Sequence, residues 1–157
     1  MKQDVVPVQV RGILPANSGV AVFVGNEEKV FVIQVEPGIG RVISNFLRKA
    51  RNERPLTHDL IGNIFRGFGI SLERAVISDL RNATYFARLI LKEQNELGTK
   101  LVEIDARPSD GIALAVAQGR PIYVAQPLFE QVEDMSDFLR QLESQAGAQD
   151  KPEGEES

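Results

Sequence analysis

Residues 101–125, LVEIDARPSDGIALAVAQGRPIYVA, decide the fold, because they place a strand, a helix and a second strand in immediate succession. Leu101–Asp105 predicts a strand, and Pro108 suits the first position of the helix that follows it. Residues 112–117 are apolar around the whole circumference of that helix, which predicts that the helix is buried. Pro121–Ala125 then predicts a last short strand.

The first part of the chain predicts a meander of strands, since it contains three runs rich in β-branched residues separated by turn signals. The runs are Val5–Leu14, Gly19–Val24 and Val30–Val35. From Arg41 the apolar period becomes that of a helix, and Gly38 and Gly40 before it predict a simple turn.

A second helix is predicted after Pro55. Its apolar residues Leu60, Ile61, Ile64, Phe65 and Phe68 lie on one stripe. Glu73–Leu80 and Ala83–Glu93 then predict a hairpin whose tight connection is Arg81-Asn82.

The C-terminal part predicts an amphipathic helix from Pro127, in which Asp134 could cap a second segment. Its apolar pattern spans only about two heptads, which favours docking onto the domain or onto a twin subunit over a coiled coil. We therefore predict an α+β fold: a single compact domain at 1–127 with an N-terminal β-meander, a mixed or antiparallel sheet and three packed helices. An acidic helix at 128–144 and a disordered acidic tail at 145–157 complete this prediction.

The charge is divided unevenly along the chain. Residues 130–157 carry nine acidic and two basic side chains, a net charge of −7, so the −4 of the whole chain leaves +3 on residues 1–129. A mildly basic folded part is compatible with phosphate binding. Without cysteine, a disulfide or thiolate metal site is excluded, and no stretch is long and apolar enough for a membrane span. These features predict a cytoplasmic protein with no membrane partner.

Three collinear blocks are more specific than these patterns. They are Arg54-Pro55-Leu56-Thr57-His58-Asp59-Leu60, Asn82-Ala83-Thr84-Tyr85-Phe86-Ala87-Arg88-Leu89 and residues 104–115. In this order and spacing they resemble the signature blocks of the bifunctional nuclease (BFN) domain family over approximately residues 5–127. The resemblance implies an α+β fold, a frequent bacterial origin, and hydrolysis of DNA or RNA. The Glu-Ala pair usual before the first helix is replaced by Glu36-Pro37-Gly38, so no family role is carried onto Glu36.

Phosphodiester hydrolysis needs a group that activates water, positive charge on the phosphate and commonly Mg²⁺ or Mn²⁺ on carboxylates. Thr57 is a candidate N-cap that would place His58 and Asp59 in the first turn of the second helix. The candidate catalytic residues are His58, Asp59, Asp105 and Asp110, and an imidazole can exchange protons near neutral pH. Asp105, Asp110 and Glu103 are the candidate ligands of Mg²⁺ or Mn²⁺, since Glu103 and Asp105 share a strand face close to the corner that leads to Asp110.

Arginine and lysine side chains near these positions are candidates for binding phosphate. Arg54 and Arg107 could clamp phosphate with their bidentate forks, while Arg48 and Lys49 belong to a basic helix face. No aromatic residue interleaves with the basic face, so sequence-independent contact with a nucleic-acid backbone is the expected mode.

Two other interpretations stay open at this stage. Each charge could instead brace the fold, as an ion pair or as an acid at a helix N-terminus, which would make the chain a non-catalytic interaction or regulatory module. The acidic end at 147–157 could fold over the basic face and restrain nucleic-acid binding. The apolar seam at 128–142 also makes a homodimer a reasonable expectation.

Overall fold

The computed structural model describes residues 4–149 of the chain. The strands are β1 Val5–Ala16, β2 Gly19–Gly25, β3 Val30–Val35, β4 Ile70–Arg81, β5 Thr84–Asn95, β6 Gly98–Ala106 and β7 Ile122–Ala125. The helices are α1 Pro37–Leu47, α2 Thr57–Gly67, α3 Pro108–Gln118, α4 Gln126–Gln131 and α5 Ser136–Gln149.

One seven-stranded mixed sheet has the order β3-β2-β1-β7-β4-β5-β6. The meander β1-β2-β3 and the meander β4-β5-β6 are both antiparallel, as the alternating runs and the hairpin signal predicted. The short strand β7 lies between the two meanders, antiparallel to β1 and parallel to β4. The predicted α+β class with a mixed sheet in a single domain is therefore confirmed.

Strand β2 shows how the sheet separates two layers of packing. Val22 and Val24 belong to the main core, which also includes residues of α1 and α3. Ala21 and Phe23, which alternate with them, belong to a second core with Leu139 of α5. Because strand side chains alternate between faces, helices α1 and α3 cover one face of this part of the sheet and α5 covers the other.

Helix α3 is buried, as its apolar circumference predicted. Ile112, Ala113 and Ala115 are fully shielded from solvent, and Leu114 is nearly so. The helix ends where expected, at Gly119, whose positive φ of 63° suits a residue without a side chain. This buried helix consequently holds the residues at its N-terminus in a fixed position.

Several boundaries differ from the predictions in ways that local chemistry explains. Helix α1 begins at Pro37, so the predicted turn at Gly38 and Gly40 is helical; proline is well suited to the first turn of a helix. The tight connection of the β4–β5 hairpin is formed by Asn82 and Ala83, both with positive φ, one residue later than predicted.

The C-terminal stretch packs onto the domain, which is one of the two arrangements that its pattern predicted. It forms the two helices α4 and α5, and Asp134 accepts a hydrogen bond from the Ser136 backbone N–H at 3.0 Å at the start of the second. Helix α5 continues to Gln149, so the prediction of a disordered tail from residue 145 is wrong for 145–149, while 150–157 lie outside the described residues. Within the described part of the chain, no helix is long and apolar enough to cross a membrane.

Candidate functional site

The first turns of α2 and α3 meet through three charged or titratable side chains. His58 Nε2 lies 2.9 Å from Asp110 Oδ1, within hydrogen-bond distance. The other carboxylate oxygen of Asp110 accepts a hydrogen bond from Arg107 Nε at 2.8 Å. Two of the three predicted blocks, residues 54–60 and 104–115, are therefore joined through a single carboxylate, and we refer to His58, Arg107 and Asp110 as the histidine cluster.

The helix start at α2 determines where His58 lies. Leu56, not Thr57, is the N-cap residue, so the prediction for Thr57 is wrong. Asp59 accepts a hydrogen bond from the Leu56 backbone N–H at 3.0 Å and thereby satisfies one of the free donors of the first turn. Its carboxylate therefore caps the helix, while His58 is the residue of this turn that reaches Asp110.

An open cleft of about 1490 Å³ runs from the histidine cluster between α2 and the strands β5 and β6. Charged and polar groups lie at one end of the cleft, where Glu36, His58 and Asp110 line it. The remaining walls are mostly apolar and include Leu60 of α2 and Leu89 of β5. The cleft is thus chemically divided into a polar end and an apolar length.

A second cavity, of about 710 Å³, is also lined by His58. Its lining includes three cations, namely Lys49, Arg51 and Arg66. The side-chain nitrogen of Gln118, which lines this cavity too, is buried and lacks a hydrogen-bond partner among the described residues. The imidazole therefore stands between an apolar cleft and a basic cavity.

The predicted carboxylate ligands of a metal do not come together in the described residues. Asp105 of β6 lies opposite Arg88 of β5 in the strand register. Arg88 forms an ion pair with Glu103 at 3.1 Å. Leu89 of β5 packs toward Gly111 of α3. Asp105 lies opposite Arg88, the neighbour of Leu89, so Asp105 and Glu103 point to the other face of the sheet.

A further obstacle to a three-carboxylate centre is that both oxygens of Asp110 are already bonded. Within residues 4–149 no three histidine, aspartate or glutamate side chains form a group able to hold a metal ion. Asp105 is nevertheless one of the residues that line the cleft.

The predicted phosphate-binding residues are spread over two regions. Arg107 lines the cleft, and its side chain is 64% exposed although its Nε is held by Asp110. Lys49 lines the basic cavity. Arg48 and Arg54 are exposed on the surface that follows α1, where Arg48 donates a hydrogen bond to Asn45.

The structure adds site residues that the sequence interpretation did not select. Glu36, at the N-cap of α1, lines the cleft. The hydrogen bond to Asp110 raises the pKa of Arg107, and the charge of Glu36 adds a smaller increase. Tyr85 belongs to the second quoted block and lines the cleft, and burial raises the pKa of its hydroxyl. Nothing in the sequence favoured Gln118 as a site residue, because polar residues are common near the ends of helices.

The pKa of Asp110 is lowered from its ordinary value of 3.8. Burial of the carboxyl by itself raises this pKa, but the hydrogen bonds from Arg107 and His58 together outweigh the burial. A depressed carboxyl pKa means that the folded state favours the ionised form, so Asp110 stabilises the fold above pH 3.8 and this contribution is lost as the pH falls below that value.

We expect the stability difference between the wild-type chain and an Asp110→Asn variant to depend on pH in this direction. The variant should be less stable near pH 6, and the difference should shrink as the pH falls from about 4 toward 2, where the wild-type carboxylate is protonated. Urea unfolding followed by circular dichroism at several pH values measures it. Other acids are shared by both proteins and cancel, so a difference that is constant with pH would contradict the bonding described for Asp110.

The fold and the site together define a class of protein: a small α+β domain in which an imidazole, a carboxylate and a guanidinium form a cluster between two cavities. The model of the bifunctional nuclease domain matches residues 22–136. The chain therefore belongs to the bifunctional nuclease domain family, and the resemblance of the three blocks is confirmed.

Similarity to curated proteins covers a shorter stretch. Two uncharacterized proteins of Mycobacterium tuberculosis, from strains H37Rv and CDC 1551 / Oshkosh, are each 40% identical to this chain over 78 residues. The match covers 50% of this chain and 43% of each relative, so the chain spans less than half the length of these curated relatives.

Proposed function

We propose that this chain hydrolyses phosphodiester bonds of DNA or RNA with low sequence specificity, with His58 as the group that transfers protons. The observation that carries the proposal is the histidine cluster, in which Asp110 holds both His58 and Arg107 at 2.9 and 2.8 Å beside two open cavities. Membership of a family described by nuclease activity supports the same chemistry. The proposal includes a bacterial origin and a cytoplasmic location.

Asp110 would act on the reaction through the imidazole. A carboxylate that accepts a hydrogen bond from one ring nitrogen fixes the tautomer in which that nitrogen carries the proton. In this arrangement Nε2 of His58 donates to Asp110, and Nδ1 keeps the lone pair that can accept a proton from the attacking water or hydroxyl. Asp110 would then stabilise the imidazolium that forms, which makes it a positioning residue.

The cations around His58 suit the substrate. Arg107 uses only its Nε toward Asp110, so its two terminal amino groups are available to bind a phosphate oxygen. Lys49, Arg51 and Arg66 of the basic cavity could hold the adjoining phosphates, and the unpaired Gln118 amide could donate to one of them. Contacts of this kind track a backbone and carry no sequence information.

The predicted dependence on Mg²⁺ or Mn²⁺ does not follow from a three-carboxylate metal centre, because the side chains of residues 4–149 do not fit one. Mg²⁺ often binds through one or two carboxylates together with substrate phosphates, so a cation that arrives with the nucleic acid stays compatible with this site. No step proposed for His58, Arg107 or Asp110 requires a metal.

We expect chelation of divalent cations to reduce DNA cleavage more than RNA cleavage. RNA carries a 2′-hydroxyl beside each phosphate, an internal nucleophile that needs only the proton acceptor, whereas DNA requires an activated water. The measurement uses a nuclease-free preparation on end-labelled DNA and RNA, with EDTA, Mg²⁺ or Mn²⁺. Equal loss on both substrates would show that a metal is needed for the step assigned to His58, and no cleavage under any condition would remove the proposed function.

A second candidate function, a non-catalytic interaction module, is favoured by one observation. The His58 side chain is only 11% exposed, and Asp110 uses both oxygens within the chain, which is also what a brace between α2 and α3 requires. On this candidate the cluster contributes stability and the two cavities bind a partner without chemistry. Replacing His58 with glutamine separates the two candidates.

A further inference from the structure

The apolar stripe of α2 is divided between the core and the surface, since Ile61 packs against the main core while Leu60, Ile64 and Phe68 are exposed. Four residues spaced one helical turn apart form a ridge on this face: Leu56, Leu60, Ile64 and Phe68 are 46%, 52%, 47% and 75% exposed. Only Gly62 of α2 is buried. Across the cleft, Ile104 of β6 is also 42% exposed. We refer to these five exposed residues as the α2 patch.

The α2 patch is a large exposed apolar surface. Taking on the order of 200 Å² for a whole large apolar side chain, the patch exposes on the order of 500 Å². This estimate is close to the upper end of the largest patches on monomeric proteins, and it leaves out the apolar walls of the cleft beside it. Exposed apolar surface of this extent is often functional, which supports an interaction site here.

Residues 1–3 and 150–157 do not have the chemistry to cover this patch. Residues 150–157 are Asp-Lys-Pro-Glu-Gly-Glu-Glu-Ser, in which four acids accompany one lysine and no large apolar side chain occurs. Residues 1–3, Met-Lys-Gln, offer a single apolar side chain. A nucleic-acid backbone is also a poor occupant, because the patch itself consists of five apolar residues and carries no cation.

We propose that the α2 patch is the interface of a homodimer, in which α2 of each copy lies in the cleft of the other. A two-fold contact needs a surface that is complementary to itself, and here a groove and an amphipathic helix of matching chemistry belong to the same chain. Two such patches would bury about 1,000 Å² of apolar surface, the lower bound for a specific interface, before any polar rim is counted.

Strand β6 helps to decide between a helical and a strand-paired dimer. It is an edge strand of the sheet, and an unpaired edge can in principle add a strand from another chain. Its exposed residues include Lys100, Glu103 and Asp105, and charges of this kind oppose edge-to-edge pairing. The contact is therefore made by the helix in the cleft, and the edge of β6 borders it.

The dimer described here does not rest on the proposed nuclease function. None of the five residues of the α2 patch lines the basic cavity, which His58 borders, so the dimer contact leaves that cavity accessible to a substrate. A protein without nuclease activity could form the same dimer, and an active nuclease could be a monomer.

The experiment compares charged substitutions on and off the patch in the full chain. We expect the wild-type chain to sediment as a dimer and a Leu60→Asp/Ile64→Asp variant to have a dimer dissociation constant at least about tenfold higher, because burying aspartates is unfavourable. Leu47→Asp is the matched control: Leu47 is 45% exposed on α1, outside the patch, and its substitution should leave the dimer intact. Thermal melting confirms that the variants fold.

Cross-linking provides a second readout, since the chain has no cysteine of its own. A short bis-maleimide should link two copies of an Ile64→Cys variant and should fail to link two copies of Leu47→Cys. A monomeric wild type, a dimer that the double aspartate variant leaves unchanged, or equal cross-linking at both positions would overturn the proposal. Protection of Ile64→Cys by labelled single-stranded DNA in a monomeric chain would also overturn it and would assign the cleft to nucleic acid.

Discussion

Replacing His58 with glutamine should lower the rate of DNA and RNA cleavage by about 100- to 10,000-fold, the range that general acid–base catalysis contributes. Glutamine can still donate a hydrogen bond to Asp110 from its side-chain amide, so the contact between α2 and α3 can persist. It cannot exchange a proton near neutral pH. The substitution therefore removes the proposed chemistry and keeps most of the proposed brace.

The measurement is initial cleavage rate on end-labelled DNA and RNA at saturating substrate, with melting temperatures determined on the same preparations. Arg140→Gln is a suitable control, because Arg140 lies on α5, forms an exposed ion pair with Asp137 and is remote from the cluster. Activity in His58→Gln equal to that of the wild type would exclude His58 as the proton-transfer group and would favour the interaction module.

Replacing Ile112 with alanine should lower the free energy of unfolding by about 2–5 kcal/mol, which is the effect expected for truncating a fully buried aliphatic side chain. Ile112 has no exposed surface and follows Asp110 by two residues on α3. The cavity left behind would loosen the helix that fixes the carboxylate. Equilibrium unfolding in urea measures the change.

Leu97→Ala is the matched control for this effect, because it also removes three carbon atoms but at a position that is 98% exposed in the turn between β5 and β6. Its stability should lie within about 0.5 kcal/mol of the wild type. A loss below about 1 kcal/mol in Ile112→Ala would mean that α3 is not the rigid base on which the histidine cluster depends.

The sequence predicted helices and strands well in segments where the spacing of apolar residues shows which side chains are buried. The apolar circumference of residues 112–117 identified a buried helix, and the position of His58 and Asp59 in the first turn of α2 was also correct. The strands of both meanders were located by alternation and turn signals. In these segments the residues that determine the element are neighbours in sequence.

The arrangement of the candidate site depended on information that local patterns lack. Glu103 and Asp105 do share one strand face, as alternation predicted, but the pairing of β6 with β5 decides that this face points away from α3. Asp110 is near them in sequence, yet it bonds to His58, which is 52 residues away. A sequence period gives the relative orientation of two side chains on a strand, while the partner strand sets which side of the sheet they occupy.

The exposed stripe of α2 shows a related limit. Its period predicted an amphipathic helix correctly, since Leu60 and Ile64 do lie on one face with Phe68. An apolar face is expected to be covered, but the sequence does not specify whether the covering surface belongs to the same chain or to another copy. The sequence likewise does not predict which basic side chains lie together, because only the fold brings Lys49 and Arg66 to one cavity.

The position of β7 has a consequence for how a newly synthesised chain reaches this structure. The first strand pairs with a strand near the end of the domain, Val5 opposite Ala125, and the same four-residue segment is the link to β4. On the ribosome, the two meanders can each form early, but the continuous sheet cannot be completed until residue 125 has left the exit tunnel. The resulting high contact order favours slow folding, and until that moment both inner strand edges stay open to wrong partners.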